Sequence, residues 1–205
     1  MTEITSSAPQ SRGPTDHNVR DQILEAAGEH FSRYGYDKTT VSDLAKAIGF
    51  SKAYIYKFFD SKQAIGEAIC AKTLSAMVAA VEEAVAGAST PTEKFRRMFK
   101  TLTETGVNLF FHDRKLHDIA AHAAGEGWPP VRAYANRIRQ LLMDVVLEGR
   151  ATGEFERKTP LDETVHAIYL VVHPYANPLL LQHNLDLIEE ASGQLSNLVL
   201  RSLAP

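Results

Sequence analysis

Apolar residues recur at intervals of three and four over most of the chain, which is the spacing of one face of an α-helix. In the first such segment they run from Val19 to Tyr34 and stop at Gly35. Glycine ends helices and serine begins them, so Gly49 and Ser51 divide the segment that follows. The pattern predicts helices at 19–34, 41–48 and 52–59, and a fourth from a cap at Asp60 or Ser61 towards Gly87.

The rest of the chain repeats these helical signals and has no alternating strand pattern. Residues 90–93 (TPTE) combine a capping box with proline at the first helical position, and Thr159-Pro160 repeats the cap-plus-proline signal. A turn is expected at 125–130. The last two helices are expected at roughly 160–182 and 184–203. The predicted fold class is all-α.

Two prolines interrupt the first of these last two helices. Pro174 and Pro178 each remove an amide donor and clash with the carbonyl four residues earlier. We therefore expect a kink or a break near His173, with the carbonyl of Leu170 in need of another partner.

Residues 39–59 have the length and the turn of a helix-turn-helix, because two short helices are joined through Gly49-Phe50-Ser51. Five lysines against two aspartates between Lys38 and Lys62 make this segment basic on a chain of net charge −3, which favours a local contact with a polyanion. The alternative is an ordinary helical hairpin with solvated lysines. The side chains expected to face outwards are Ser51, Lys52, Ala53, Tyr54, Tyr56 and Lys57.

Composition narrows the other possibilities. Cys70 is the only cysteine, so neither an intramolecular disulfide nor a cysteine-cluster metal site can form. Residues 1–15 are polar and are expected to form a disordered tail, or alternatively a basic arm resting on Arg12 and Arg20; they do not resemble a signal peptide. No run of about 18 apolar residues stands out, so we expect no membrane span and a cytoplasmic protein.

The segment 19–66 resembles the DNA-binding domain of the TetR family of repressors. The resemblance rests on Tyr34-Gly35, Thr39-Thr40-Val41, Asp43-Leu44-Ala45, Ile48-Gly49-Phe50-Ser51, Ile55-Tyr56, Phe59 and Lys62. Ala53 stands where glycine is usual, Phe58 where histidine is common, and Ile65 where leucine is usual. The family implies a helix-turn-helix domain at 16–66 and a C-terminal ligand-binding and dimerisation domain at 67–205.

The resemblance also implies roles for single residues. Thr40, at the start of the second helix, Tyr56 and Lys62 correspond to phosphate contacts, while Ser51, Lys52, Ala53 and Tyr54 lie where the family reads bases. Alternatively, Tyr56 is a half-buried core aromatic and Lys62 a solvated lysine. The expected partner is double-stranded, pseudo-palindromic operator DNA.

In the C-terminal half, the family implies that the last two helices, 161–182 and 185–203, form a four-helix interface with a second copy. An apolar stripe on the last helix favours this homodimer, although internal core would bury the same residues: Leu187, Ile188, Ala191, Leu195, Leu198 and Val199. The family also implies an effector pocket between helices five to eight. The candidate lining residues suit a hydrophobic or aromatic effector, although each could equally be core: Phe99, Leu102, Phe110, Trp128, Tyr134, Ile138, Tyr169 and His173.

Six histidines lie in this half, but their spacing does not favour chelation. His112, His117 and His122 cannot share one helical face, and His166 and His173 are two turns apart. We therefore expect neither a metal nor a cofactor, and no enzymatic activity. The sequence predicts a homodimeric repressor released from its operator by a small molecule. The alternatives are a DNA-binding dimer regulated by a protein partner, or a metal-dependent enzyme.

Overall fold

The computed structural model describes residues 16–205, which form helices and no strands. The prediction of an all-α fold is confirmed. The expectations for residues 1–15 lie outside the described residues. The α-helices are α1 Asp16–Tyr34, α2 Val41–Ile48, α3 Lys52–Ile55, α4 Lys62–Ala86, α5 Pro91–His112, α6 Arg114–Gly125, α7 Pro129–Thr152, α8 Leu161–Ala176, α9 Pro178–Leu181 and α10 Ile188–Ser202, with a 3₁₀ turn at Leu185–Leu187 before α10.

The first three helices form a small unit around apolar side chains from each of them. Phe31 of α1, Leu44 of α2 and Ile55 of α3 are fully buried together. Tight turns close the unit, because Gly35 and Gly49 adopt φ values of 87° and 76°, where other residues are strained. These are the two glycines at which the sequence predicted that α1 and α2 end.

Helix α4 connects this unit to the C-terminal domain and packs against α1, α5, α6 and α7. Its start and end are as predicted, since Ser61 Oγ accepts a hydrogen bond from Ala64 N at 3.0 Å and Gly87 follows the last turn. The helix is long and apolar enough to cross a membrane. Its fully buried residues, including Ile65, Leu74 and Val81, instead lie in the core of the helical bundle, as in the central helix of a globular domain.

Helices α5 to α10 build the C-terminal domain. Thr90 caps α5 ahead of Pro91, as predicted, by accepting a hydrogen bond from Glu93 N at 3.2 Å. Sequence analysis did not separate α6 from α5. The chain breaks at Asp113, whose side chain accepts a hydrogen bond from Leu116 N at 3.4 Å and so begins the new helix.

Three predicted boundaries are wrong. Helix α3 ends at Ile55 rather than Phe59, because the next residues form a turn with hydrogen bonds to the carbonyl three positions earlier, such as Lys57 N to Tyr54 O. Thr159 does not cap α8. Its amide donates to the carboxylate of Glu156, and Pro160 takes the cap position without a side-chain hydrogen bond.

The break near the end of α8 also lies elsewhere than predicted. The helix continues through Pro174 to Ala176, and the chain turns extended at Asn177, with ψ 119°. Pro178 explains this position, because proline disfavours helical backbone at the residue before it. Asn177 also caps α9, since its Oδ1 accepts a hydrogen bond from Leu179 N at 2.9 Å.

Candidate DNA-binding site and effector cavities

The turn between α2 and α3 presents one continuous surface to solvent. Ser51 begins α3, since its Oγ accepts a hydrogen bond from Tyr54 N at 3.1 Å. We define the recognition surface as the exposed side chains between this cap and the turn after α3: Ser51, Lys52, Ala53, Tyr56 and Lys57. Tyr56 is 41% exposed, so a large part of its side chain faces solvent.

Tyr54 departs from the expectation of an outward-facing base reader. It is half-buried, and its ring makes edge contacts with Phe50 and Phe58 at centroid distances of 5.1 and 5.4 Å. The ammonium group of Lys57 lies 5.5 Å from the Tyr54 ring, and that of Lys52 lies 5.7 Å from the Tyr56 ring. Both cations therefore lie beside aromatic faces that attract them.

The start of α2 has a complete capping box. Thr40 Oγ1 accepts a hydrogen bond from Asp43 N, while Thr40 N donates to Asp43 Oδ2 at 3.0 Å. The pKa of Asp43 is lowered, chiefly by the hydrogen bond that Thr40 Oγ1 donates to Asp43 Oδ2 at 2.7 Å and then by the one from Thr40 N. The amide of Thr40 thus has a partner, and a phosphate at this end would meet the amides of Val41 and Ser42, which have no acceptor within the helix.

Lys62, at the start of α4, is held in place by Tyr36, which lies between α1 and α2 in the DNA-binding unit. Its Nζ donates to the carbonyl oxygen of Tyr36 at 3.1 Å and lies 4.3 Å from the centre of the Tyr36 ring. The alternative of a freely solvated lysine therefore does not hold. A lysine ammonium group has three donors, so this contact leaves two for a phosphate.

Tyr36 joins Lys62 to the C-terminal domain. Its ring makes contacts with Phe31, His122 and Trp128 at centroid distances of 5.1, 5.1 and 5.4 Å. Burial, followed by the nearby charges of Asp37 and Glu67, raises its pKa to about 12. Sequence reasoning missed this residue and expected Trp128 in the effector pocket. The structure places Trp128 against Tyr36, at the junction between α7 and the DNA-binding unit.

Gly66 on α4 explains how the two rings approach so closely. A Cβ atom there would lie 2.8 Å from the Tyr36 ring and 2.9 Å from the ring of Trp128. The two rings therefore occupy the space that a side chain at position 66 would need. We call Tyr36, Trp128 and Gly66 the junction cluster.

Four of the eight predicted effector residues do lie together. Tyr134, Ile138, Tyr169 and His173 line a cavity of about 330 Å³ between α6, α7 and α8, which we call the sensor cavity. Its volume lies in the range of small-molecule sites, roughly 300–1,000 Å³. One wall is cationic, because the guanidinium of Arg139 lies 4.0 Å from the centre of the Tyr169 ring. Burial, followed by the charge of Arg139, lowers the pKa of His173.

The other predicted effector residues lie elsewhere. Phe99 and Leu102 are fully buried beside a void of about 10 Å³, which can hold at most a water molecule. Phe110 lies in the last turn of α5, where its ring centroid is 4.8 Å from that of His117 and 4.0 Å from the guanidinium of Arg114, both on α6. In the described structure, Phe99 and Leu102 belong to the core, and Phe110 packs where α5 meets α6.

A second, larger cavity was not predicted. It has a volume of about 980 Å³ and lies between α1 and the helices α4, α5 and α6; we call it the α1 groove. Its apolar residues are Leu24, Ile69, Ala76, Met77, Leu109 and Leu116. The charged ones are Asp21, Glu25, Glu29, Lys72 and Asp113.

The apolar stripe predicted on the last helix divides into two sets. Ala191 and Val199 are buried within the subunit, whereas Leu187 and Leu198 are 51% and 55% exposed. Leu170 on α8 is 57% exposed as well. One part of the stripe is therefore internal core, and another part is exposed surface.

Residues 16–205 contain no group of three or more His, Cys, Asp or Glu side chains that could hold a metal ion. His117, for example, is fully buried, and its Nε2 is 3.0 Å from the carbonyl oxygen of Pro178 on α9. It packs α6 against α9.

A three-helix unit whose third helix and the turn after it present lysine and tyrosine side chains to solvent has the arrangement of a DNA-binding helix-turn-helix. Comparison with known families agrees. Residues 23–69 match the family described as "Bacterial regulatory proteins, tetR family", and residues 91–195 match "Tetracyclin repressor-like, C-terminal domain". The chain belongs to the TetR family, as the sequence resemblance indicated.

Individual relatives support the same assignment. The biofilm operon icaADBC negative transcriptional regulator IcaR of Staphylococcus aureus (strain Newman) is 45% identical over 49 residues, which cover 24% of this chain and 26% of IcaR. The repressor KstR2 of Mycolicibacterium smegmatis is 25% identical over 79% of this chain and 76% of its own. FadR of Bacillus subtilis, solved in complex with stearoyl-CoA, has the same fold, with a TM-score of 0.66, 19% identity, and coverage of 89% of this chain and 98% of FadR.

Proposed function

We propose that this protein is a homodimeric transcriptional repressor that binds a pseudo-palindromic operator and is released from it by a small apolar or aromatic effector. The observation that carries the proposal is the recognition surface, which is exposed and cationic at the start of α3. The chain's membership of the TetR family and the repressors named above support negative regulation of transcription. A DNA target implies access to the chromosome, so we propose a cytoplasmic location.

The DNA contacts divide by position. Lys52 and Ala53, in the first turn of α3, would face base edges in the major groove, together with Ser51. Tyr54 would act mainly by supporting that turn, because its ring is packed between two phenylalanines. Tyr56, Lys57, Lys62 and the first amides of α2, next to Thr40, would contact phosphates on either side of the groove.

The exposed leucines of the C-terminal domain support a dimer. Leu170, Leu187 and Leu198 are all more than half exposed, and water contact with such large apolar side chains is unfavourable. A second copy would cover them with the same three residues, as two-fold symmetry requires. Two recognition surfaces would then meet half-sites whose centres are about 34–36 Å apart, or a multiple of that distance.

The sensor cavity has an apolar floor with one cationic wall. An effector with an aromatic or aliphatic body would contact Ile138 and Tyr169, and an acidic or carbonyl group would face Arg139. The cavity is also lined by Gly127, the neighbour of Trp128. An effector that displaces this loop would therefore move the junction cluster and, through it, Lys62. DNA affinity falls only if the effector binds the DNA-free state more tightly.

The test begins with selection of bound sequences from a random DNA pool, which should return a palindrome. Binding to the selected duplex is then measured by fluorescence anisotropy for wild type and Lys52→Ala, with Lys158→Ala as control, because Lys158 is exposed and lies outside the helix-turn-helix. Loss of one base contact should cost about 1–3 kcal/mol per half-site. Equal affinity of all three proteins, or a selected pool without a common sequence, would contradict the proposal.

The effector is sought by repeating the anisotropy measurement with a library of small acids that have an apolar body. A hit should lower operator affinity about 5- to 150-fold, the usual range of allosteric coupling. Tyr169→Ala should abolish that response while the affinity of the ligand-free protein for DNA stays unchanged. A response that survives in Tyr169→Ala would place the effector outside the sensor cavity.

A further inference from the structure

Glycine at position 28 lies inside α1, where it serves no purpose in the packing of the helix. A Cβ atom added there would meet no atom within 4 Å, and the residue does not have a positive φ angle. Glycine weakens a helix interior compared with alanine. Gly28 lines the α1 groove, so a long side chain at this position would enter the groove.

Two glutamates follow the same edge of the groove. Glu25 and Glu29 are one helical turn apart on α1, and both line the groove. Like charges at this spacing repel each other. In the part of the chain that the structure describes, neither is in an ion pair with a cationic side chain. The arrangement has an unfavourable charge repulsion that a positively charged ligand would relieve.

The other charged side chains around the groove do not neutralise the negative charge of Glu25 and Glu29. Lys72 on α4 is the cationic side chain among the groove residues described above, against four carboxylates. Of these, Asp113 already caps α6, and Asp21 already has an interaction partner, so Glu25 and Glu29 are the two carboxylates left for a ligand. Ile69 and Met77 on α4 give the groove an apolar surface, beside the uncharged polar side chains of Thr73, Thr105 and Asn108.

From these observations we propose that the α1 groove binds an elongated organic cation with an apolar body. The amine would lie between Glu25 and Glu29, and the apolar body would lie along α4 on Ile69 and Met77. The groove runs beside α1 from Asp21 to Ser32, which is about 16 Å at 1.5 Å per residue. The site shares no lining residue with the sensor cavity, so it goes beyond the proposed effector site.

Such a ligand would contact both parts of the protein at once. Helix α1 belongs to the DNA-binding unit, while α5 and α6 belong to the C-terminal domain. Binding would therefore tie the two together and raise the melting temperature by mass action.

Isothermal titration calorimetry with decylamine on the full chain tests the site. Decanoate, which has an apolar body of the same kind and the opposite charge, is the control ligand. Decylamine should bind, and decanoate should bind about tenfold or more weakly. Gly28→Leu fills the groove and should weaken decylamine binding roughly tenfold or more, whereas Gly28→Ala should bind it like wild type.

The charge is tested separately with a double variant, Glu25→Gln with Glu29→Gln, which should bind decylamine about three- to tenfold more weakly. The matched control replaces Glu83 and Glu163, which are exposed outside the groove, by glutamine and should have no effect. Unchanged binding to Gly28→Leu, equal binding of decanoate, or no binding by wild type would each overturn the proposal.

Operator binding without decylamine separates this proposal from the proposed function. Gly28→Leu should bind the operator like wild type, because residue 28 is not on the recognition surface. Failure of wild type to bind any selected operator would refute the repressor function, and the calorimetric result would still decide the groove.

Discussion

Lys62 offers a quantitative test of the DNA-binding geometry. Its ammonium group is fixed by the carbonyl oxygen of Tyr36 at 3.1 Å and keeps two donors for a phosphate. The substitution Lys62→Met removes the charge and keeps an unbranched side chain against the Tyr36 ring. A dimer would thereby lose one cationic phosphate contact in each half-site, or two in total.

The expected magnitude follows from counterion release. The slope of log affinity against log salt is negative, and each lost contact makes it less negative by about 0.9. The loss of two contacts should therefore flatten the slope by about 1.8. If the affinities of the two proteins converge near 1 M salt, Lys62→Met binds the operator about 60-fold more weakly at 0.1 M. The loss should be the same for specific and random DNA, because phosphates carry no sequence information.

The assay is fluorescence anisotropy at four or more salt concentrations, with Lys72→Met as the control. Lys72 is an exposed lysine on the same helix, ten residues further on, or about 15 Å along the helix axis, and its loss should leave the slope unchanged. Loss of the hydrogen bond to Tyr36 should lower the free energy of unfolding by about 1 kcal/mol, as measured in urea. A slope that changes equally in both variants, or in neither, would refute the assignment of Lys62 to phosphate.

Three further outcomes are expected. Leu198→Glu should turn the dimer into a monomer in light scattering at micromolar concentration, because it places a charge in the proposed interface; a dimer that persists would move the interface elsewhere. Gly149→Ala should lower the free energy of unfolding by about 1–3 kcal/mol or more in urea, since the added Cβ would overlap the buried ring of Phe155; an unchanged midpoint would contradict the packing. Burial lowers the pKa of His117 below 6.5, so its contribution to stability is present above that pH and is lost on acidification. Wild type should therefore lose more stability between pH 7.5 and 5 than His117→Gln, and equal losses would show that His117 is not the group responsible.

The local elements of this protein could be predicted because they depend on neighbouring residues. The end of α2 follows from Gly49, whose left-handed backbone needs no partner beyond the next turn, and the start of α5 follows from Thr90 and Pro91. The outward position of Tyr56 followed from its place in a motif with fixed spacing. In these cases the relevant contacts span only a few positions.

Tertiary structure decided which faces are closed and which remain open. Phe99 and Tyr169 are both buried, yet Tyr169 also lines the sensor cavity and Phe99 does not, because their partners come from helices far away in sequence. Trp128 meets Tyr36 across the junction, a contact that no spacing along the chain reveals. The α1 groove likewise exists only where α1 lies beside α4, α5 and α6 without filling the space between them, since packing, unlike helix capping, depends on how distant side-chain volumes fit together.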